Sequence, residues 1–135
     1  MRTLILLAMP LLLAGCHLFT PGSSSPKLAE TDWVVDAFVI NGERIKANAD
    51  ETLTLTFTDE RQATAEADCN NCAGGYTVQG EAITFTLGCT DLACEAPTQG
   101  DLLQDALRDV TSYERGGGEL VLFGPSVNVI LRAQR

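Results

Sequence analysis

Alternation of apolar and polar side chains, not helical periodicity, dominates this chain. In TLTLTFT (52–58), Leu53, Leu55 and Phe57 fall on one face and four threonines on the other. That period of two marks a half-buried strand. QATAEAD (62–68) alternates again, with Ala63, Ala65 and Ala67 inward, and Asp59-Glu60-Arg61 turns the chain between the two segments. The pair predicts a hairpin. Inward residues as small as alanine leave room for something bulky above them, and a helix is the candidate. DWVVDAFVING (32–42) is β-rich, with Trp33, Val35, Ala37 and Val39 on one face and Val34, Phe38 and Ile40 on the other. Asn41-Gly42 then gives a strong hairpin-turn signal. YTVQGEAITFTL (76–87) predicts two short strands around Gly80, with Ile83, Phe85 and Leu87 inward.

The texture changes in PTQGDLLQDALRDVTSY (97–113), where Leu102, Leu103, Ala106, Leu107 and Val110 form one helical stripe. This predicts a helix near 98–111. Thr98 and Asp101 stand at capping-box spacing, and Gly100 weakens that first turn. ELVLF (119–123) and VNVILR (127–132) close the chain as strands around GPS (124–126). Gly116, Gly117 and Gly118 read as a turn, because a phosphate loop needs a following helix N-terminus. The fold class is mainly β (α+β): a strongly bent antiparallel sheet or small barrel of about seven or eight short strands, with one packed helix.

The first residues lie outside this pattern. Arg2 and the apolar run LILLAMPLLLAG (4–15) read as an export leader, too short to span a bilayer comfortably. Leu13, Ala14, Gly15 and Cys16 match the bacterial lipobox, whose cysteine thiol accepts a diacylglyceryl group. The expected organisation is a leader over 1–15, a lipid-anchored tether over 16–30 and a folded domain over 31–135. Two or three acyl chains on Cys16 anchor stably where one is marginal. HLFTPGSSSPKLAE (17–30) is too rich in Pro, Gly and Ser to order itself, and its reach is roughly 20 Å. The residue after the cysteine is His17, not the Asp of inner-membrane retention, which favours the outer membrane, with the domain facing the periplasm or the cell surface.

Charge narrows the partners. Lys and Arg number 9 against 18 Asp and Glu, for a formal net charge of −9. Such a balance excludes nucleic acid, which requires clustered cations. The one histidine, His17, sits in the tether, so the domain has no histidine base, triad or metal ligand. The nearest carboxylate pairs are Asp59/Glu60, Asp91/Glu95 and Asp105/Asp109, and the usual meaning of such pairs is a solvated surface.

Lipidation of Cys16 leaves Cys69, Cys72, Cys89 and Cys94. Three uses compete. A redox Cys-x-x-Cys belongs at a helix N-terminus, yet Cys72 runs into AGGYTVQ, which reads as turn and strand. Four thiolates at this spacing could hold zinc, although an oxidising compartment opposes it. An even count in an exported domain favours two disulfides. Partners across an antiparallel hairpin have nearly constant position sums, which favours nested Cys69–Cys94 and Cys72–Cys89 over the crossed pairing.

Several blocks in order carry a family resemblance: Trp33 opening the first strand with Asn41-Gly42 after it; Phe57, Cys69, Asn70, Gly74 and Tyr76; Thr90, Ala93 and Cys94; Leu103, Leu107, Val110 and Tyr113; and Gly118, Leu120 and Leu122. The chain resembles the META domain family of HslJ-like bacterial lipoproteins over roughly 31–133. Asp68 stands where the family usually has Gly, and Cys72 where it usually has an aromatic residue. Cys89 is a second unusual cysteine. The resemblance implies a compact antiparallel, lipocalin-like barrel with a packed helix, and an association with envelope stress and novobiocin resistance. It carries no catalytic residues, metal or cofactor. The expected protein is therefore a non-enzymatic envelope module with an unidentified protein partner and a membrane contact through Cys16. The alternative is a carrier of a small apolar ligand in a barrel cavity.

Overall fold

The computed structural model describes residues 27–135. The leader, Cys16 and most of the tether lie outside the described residues. Within them the order is β1 (Thr31–Ile40), β2 (Glu43–Lys46), β3 (Leu53–Phe57), β4 (Gln62–Ala67), β5 (Asn70–Gln79), β6 (Ala82–Cys89), α1 (Gln99–Asp109), β7 (Ser112–Gly116), β8 (Glu119–Phe123) and β9 (Val127–Ala133). All pairings are antiparallel, in the order β1-β3-β4-β5-β6-β7-β8-β9, and β9 returns to β1. The result is an eight-stranded closed barrel, so it has no long unpaired edge to invite aggregation. β2 is an added arm: β1 gives Thr31–Val34 to β3 and Ala37–Ile40 to β2, while β9 takes its other edge.

Closure is weakest between β6 and β7. They share one register pair, Ala82 with Ser112, supported by hydrogen bonds from Ile83 N to Thr111 O (3.1 Å) and Tyr113 N to Glu81 O (2.9 Å). α1 packs beside this seam and touches β3, β4, β6 and β9. Leu103, Ala106, Leu107 and Val110 are its buried stripe. The alanine face of β4 therefore does lie under the helix. Gly100, which looks like a weakness in the first turn, is a steric requirement: a Cβ there would stand 2.3 Å from Ala67 O. Thr98 caps the helix by accepting from Gly100 N at 3.2 Å. The second cap comes from outside the helix, since Glu51 accepts from Gln99 N at 2.8 Å.

Four local expectations change. The helix stops at Asp109 because Val110 turns extended (ψ 140°), and Ser112–Gly116 pair with β8 as β7. β5 begins at Asn70, so Ala73-Gly74-Gly75 is strand and not turn. Gly74 lies so close to β6 that a Cβ would meet Thr86 O at 2.2 Å. The β1 faces slip at a bulge between Val35 and Ala37, which brings Phe38 inside and leaves Val39 half-buried. Last, order begins before residue 31: Leu28 and Ala29 are buried, Thr31 Oγ1 donates to Leu28 O, and Lys27 lies 3.6 Å from Glu60.

The interior is filled by Trp33, Phe38, Leu55, Phe57, Ile83, Leu120, Leu122 and Leu131, among others. Phe57 and Tyr76 meet edge to face at 4.8 Å between centroids, and Phe85 lies 5.9 Å from Phe57. Each such aromatic side chain contributes about 2–3 kcal/mol by leaving water.

Candidate functional site

The corner where β4 turns into β5 gathers the family's Cys-Asn block. Asp68 and Cys69 form a two-residue turn between the paired Ala67 and Asn70. Asp68 adopts φ 58°, the left-handed region in which glycine is easiest and Asp is tolerated. This accounts for Asp at a position where the resembled family favours glycine. Cys69 is bonded to Cys94 and Cys72 to Cys89, the nested arrangement. The second bridge joins directly opposed residues of β5 and β6. The first fastens the long connection ahead of α1 to the β4–β5 turn.

Asn70 organises the corner. It is the buried polar residue among the described residues, and strand alternation places it on the inward face with Cys72 and Tyr76. Its Oδ1 accepts from Leu92 N (2.7 Å) and Thr90 Oγ1 (2.9 Å), and its Nδ2 donates to Leu92 O (3.1 Å). Thr90 replies by accepting from Asn71 N at 3.0 Å and donating its own N–H to Asn71 O at 2.9 Å. One amide side chain thus holds both backbone groups of Leu92. A buried polar residue on an inward face was the available sequence signal, but its partners lie about twenty residues on.

The candidate acids do not converge on a reaction centre. Asp59 Oδ1 accepts from Arg61 N and Gln62 N, both at 2.7 Å, which builds the β3–β4 turn. Glu60 pairs with Lys27, and Asp105 and Asp109 flank Arg108. Asp91 and Glu95 are exposed. Asp68, Cys69 and Cys94 offer ligand atoms within 4.8 Å of one another, but both sulfurs belong to one disulfide and supply no thiolate. Tyr76 donates to Asp59 O at 2.6 Å. Burial, and then the nearby Asp59 and Glu60 charges, raise its phenol above the ordinary 10.0.

Two surface concavities flank the corner. One, of about 660 Å³, opens on the outer face of β3–β6 beside Thr56, Thr64 and Ala73. The other, of about 420 Å³, lies between β6 and α1 beside Phe85, Leu87 and Gln104.

The model of the META domain matches residues 26–135. The chain belongs to the META domain family. Among curated proteins no match is found. Solved structures share the fold. A protein from Burkholderia xenovorans, solved by NMR, is 22% identical with a TM-score of 0.66, over 79% of this chain and 83% of that one. A DUF4847 family protein from Bacteroides vulgatus is 12% identical with a TM-score of 0.57, over 78% of this chain and 93% of that one. The META match begins at 26, close to Leu28, the first buried side chain among the described residues.

Proposed function

We propose that this META protein is a non-enzymatic module of the bacterial envelope, anchored by lipid on Cys16 in the outer membrane, and that it binds a protein there or stabilises the envelope under stress. The observation that supports this reading is the use made of the family's Cys-Asn block. Cys69 of the block is bonded to Cys94, the added Cys72 is bonded to Cys89, and the amide atoms of Asn70 are engaged by residues 90–92. Groups occupied in this way brace a loop and leave no nucleophile or base for a substrate. The packed barrel interior favours the module over the ligand carrier, because aromatic and aliphatic side chains stand where a ligand would sit.

A deletion strain tests the reading. Loss of the gene should sensitise cells to novobiocin or detergent, the full chain should restore resistance, and Cys16→Ser should fail to restore it while losing labelled palmitate. Normal resistance without the gene, or palmitate label retained by Cys16→Ser, overturns the reading. Native mass spectrometry of protein released from cells separates the alternatives, since a retained small molecule favours the carrier.

A further inference from the structure

Leu92 is 61% exposed, the most exposed large apolar side chain among the described residues. A single exposed leucine needs no explanation by itself. This one differs in how its backbone is held. The buried amide of Asn70 fixes both its N–H and its C=O, at 2.7 and 3.1 Å. Two residues on, Cys94 is tied to Cys69; three residues before, Cys89 is tied to Cys72. The chain thus commits a buried polar residue and one crosslink to a loop whose apolar side chain faces water, and a second crosslink fixes the end of β6 from which the loop departs. Pre-organisation of this kind cuts the ordering cost of binding.

Two further observations describe the occupant. No Lys or Arg occurs between Gln62 and Leu107, whereas Asp68, Asp91, Glu95 and Asp101 all fall in that span. Asp91 and Glu95 flank Leu92 and are exposed, and the Asp68 carboxylate lies within 4.8 Å of the Cys69 and Cys94 sulfurs. The anchor therefore has an acidic rim. In addition, the tether enters at the other end of the β3–β4 hairpin, where Lys27 meets Glu60 in the turn, while Asn70 and Leu92 follow the Ala67 end. Lys27, the first described residue, therefore lies at the opposite end of this hairpin from the Asn70 corner.

We infer that the 90–96 loop is a protein-docking element, and that its partner is a protein surface with an apolar pocket for Leu92 rimmed by Lys or Arg. This rests on the envelope-module reading and names the surface that the module uses. Complementary charge at a rim acts mainly on the association rate and on specificity.

Site-specific photo-crosslinking in cells tests it with the full-length chain. A photo-reactive amino acid replaces Leu92 in one strain and Val78, 39% exposed on β5, in another. Crosslinking to one protein through a basic surface is expected at 92, at least tenfold above 78, with a further several-fold loss when Asp91→Asn and Glu95→Gln are added. Complementation supplies the second readout: Leu92→Ser should restore novobiocin resistance poorly while taking palmitate normally. Equal yields at 92 and 78, crosslinks to lipid or to a second copy of this chain, yields indifferent to the two neutralised acids, or full complementation by Leu92→Ser each overturn the docking loop. The envelope reading survives those outcomes if the deletion phenotype and the Cys16 dependence hold.

Discussion

Around Phe57 the barrel is held together by area. Phe57, Tyr76 and Phe85 stack at centroid distances from 4.8 to 6.1 Å, surrounded by aliphatic side chains from most of the strands. Around Asn70 it is held by direction: three side-chain hydrogen bonds of 2.7–3.1 Å and one covalent bridge fix a loop with little apolar burial of its own, and a second bridge locks the strands at its root. The first region draws most of its stability from the area it buries, which is non-directional, with ring edges and faces adding a weaker preference of angle. The second depends on angle, because an amide pulled from its partners leaves buried polar groups unpaired. The contrast separates a core that makes the fold from a corner that fixes one loop.

The largest effect should come from removing area. Phe57→Ala leaves a cavity beside Tyr76 and Phe85, and the expected cost is about 3–5 kcal/mol of global stability, read from urea unfolding. A loss below about 1 kcal/mol would mean that the aromatic cluster is not the core. Next come the bridges. Because they are nested, either one alone already closes most of the loop between β5 and β6. Removing Cys72–Cys89 by a double alanine variant should therefore cost about 2–3 kcal/mol, and removing both bridges should cost more than either alone. Equal melting of single-bridge and bridge-free variants would contradict this.

Asn70→Ala should cost about 1–3 kcal/mol, and its signature is local. Hydrogen exchange at the Leu92 amide should accelerate strongly, while amides in β8 and β9 should change only as far as global stability does. Uniform acceleration through the barrel would make Asn70 a core residue like any other and remove the distinction between the two regions. Asn70→Asp tests geometry more finely. It keeps an acceptor for Leu92 N and Thr90 but loses the donor to Leu92 O.

The two regions also differ in how far they can be read from the chain. Leu53, Leu55 and Phe57, or Ile83 and Phe85, declare the core by alternation alone, because burial is an averaged property of a whole face. The late helix is legible for the same reason. What escapes notice depends on one distant partner. Nothing near Gly100 says that Ala67 O will come so close that only glycine fits. Nothing near Gln99 names Glu51 as the acceptor of its N–H. β7 is hidden because Val110 and Tyr113 continue a helical spacing that Val110 itself breaks. The Cys-Asn block is visible as a motif, but its role as a brace depends on Thr90 and Leu92, and that pairing exists only once β5 and β6 have met.

The smallest effect joins the two regions through Tyr76, which belongs to the aromatic core and yet ends in a hydroxyl held by Asp59 O at 2.6 Å. Tyr76→Phe keeps the ring and should cost about 1 kcal/mol near neutral pH, the net value of one hydrogen bond. Its pH dependence is more telling. Burial, with help from Asp59 and Glu60, raises the folded-state phenol above 10.0. The unfolded chain therefore releases that proton first as the solution becomes alkaline. Between the two pKa values the folded state binds more protons, so stability falls as pH rises. The contribution is complete below the unfolded value and lost as pH climbs through the folded one. Urea unfolding from pH 8 to pH 11 should show wild type losing stability faster than Tyr76→Phe, with the gap opening only above about pH 10. Parallel curves would mean that the phenol is as wet as in the unfolded chain, and the aromatic end would then be less dry than its packing indicates.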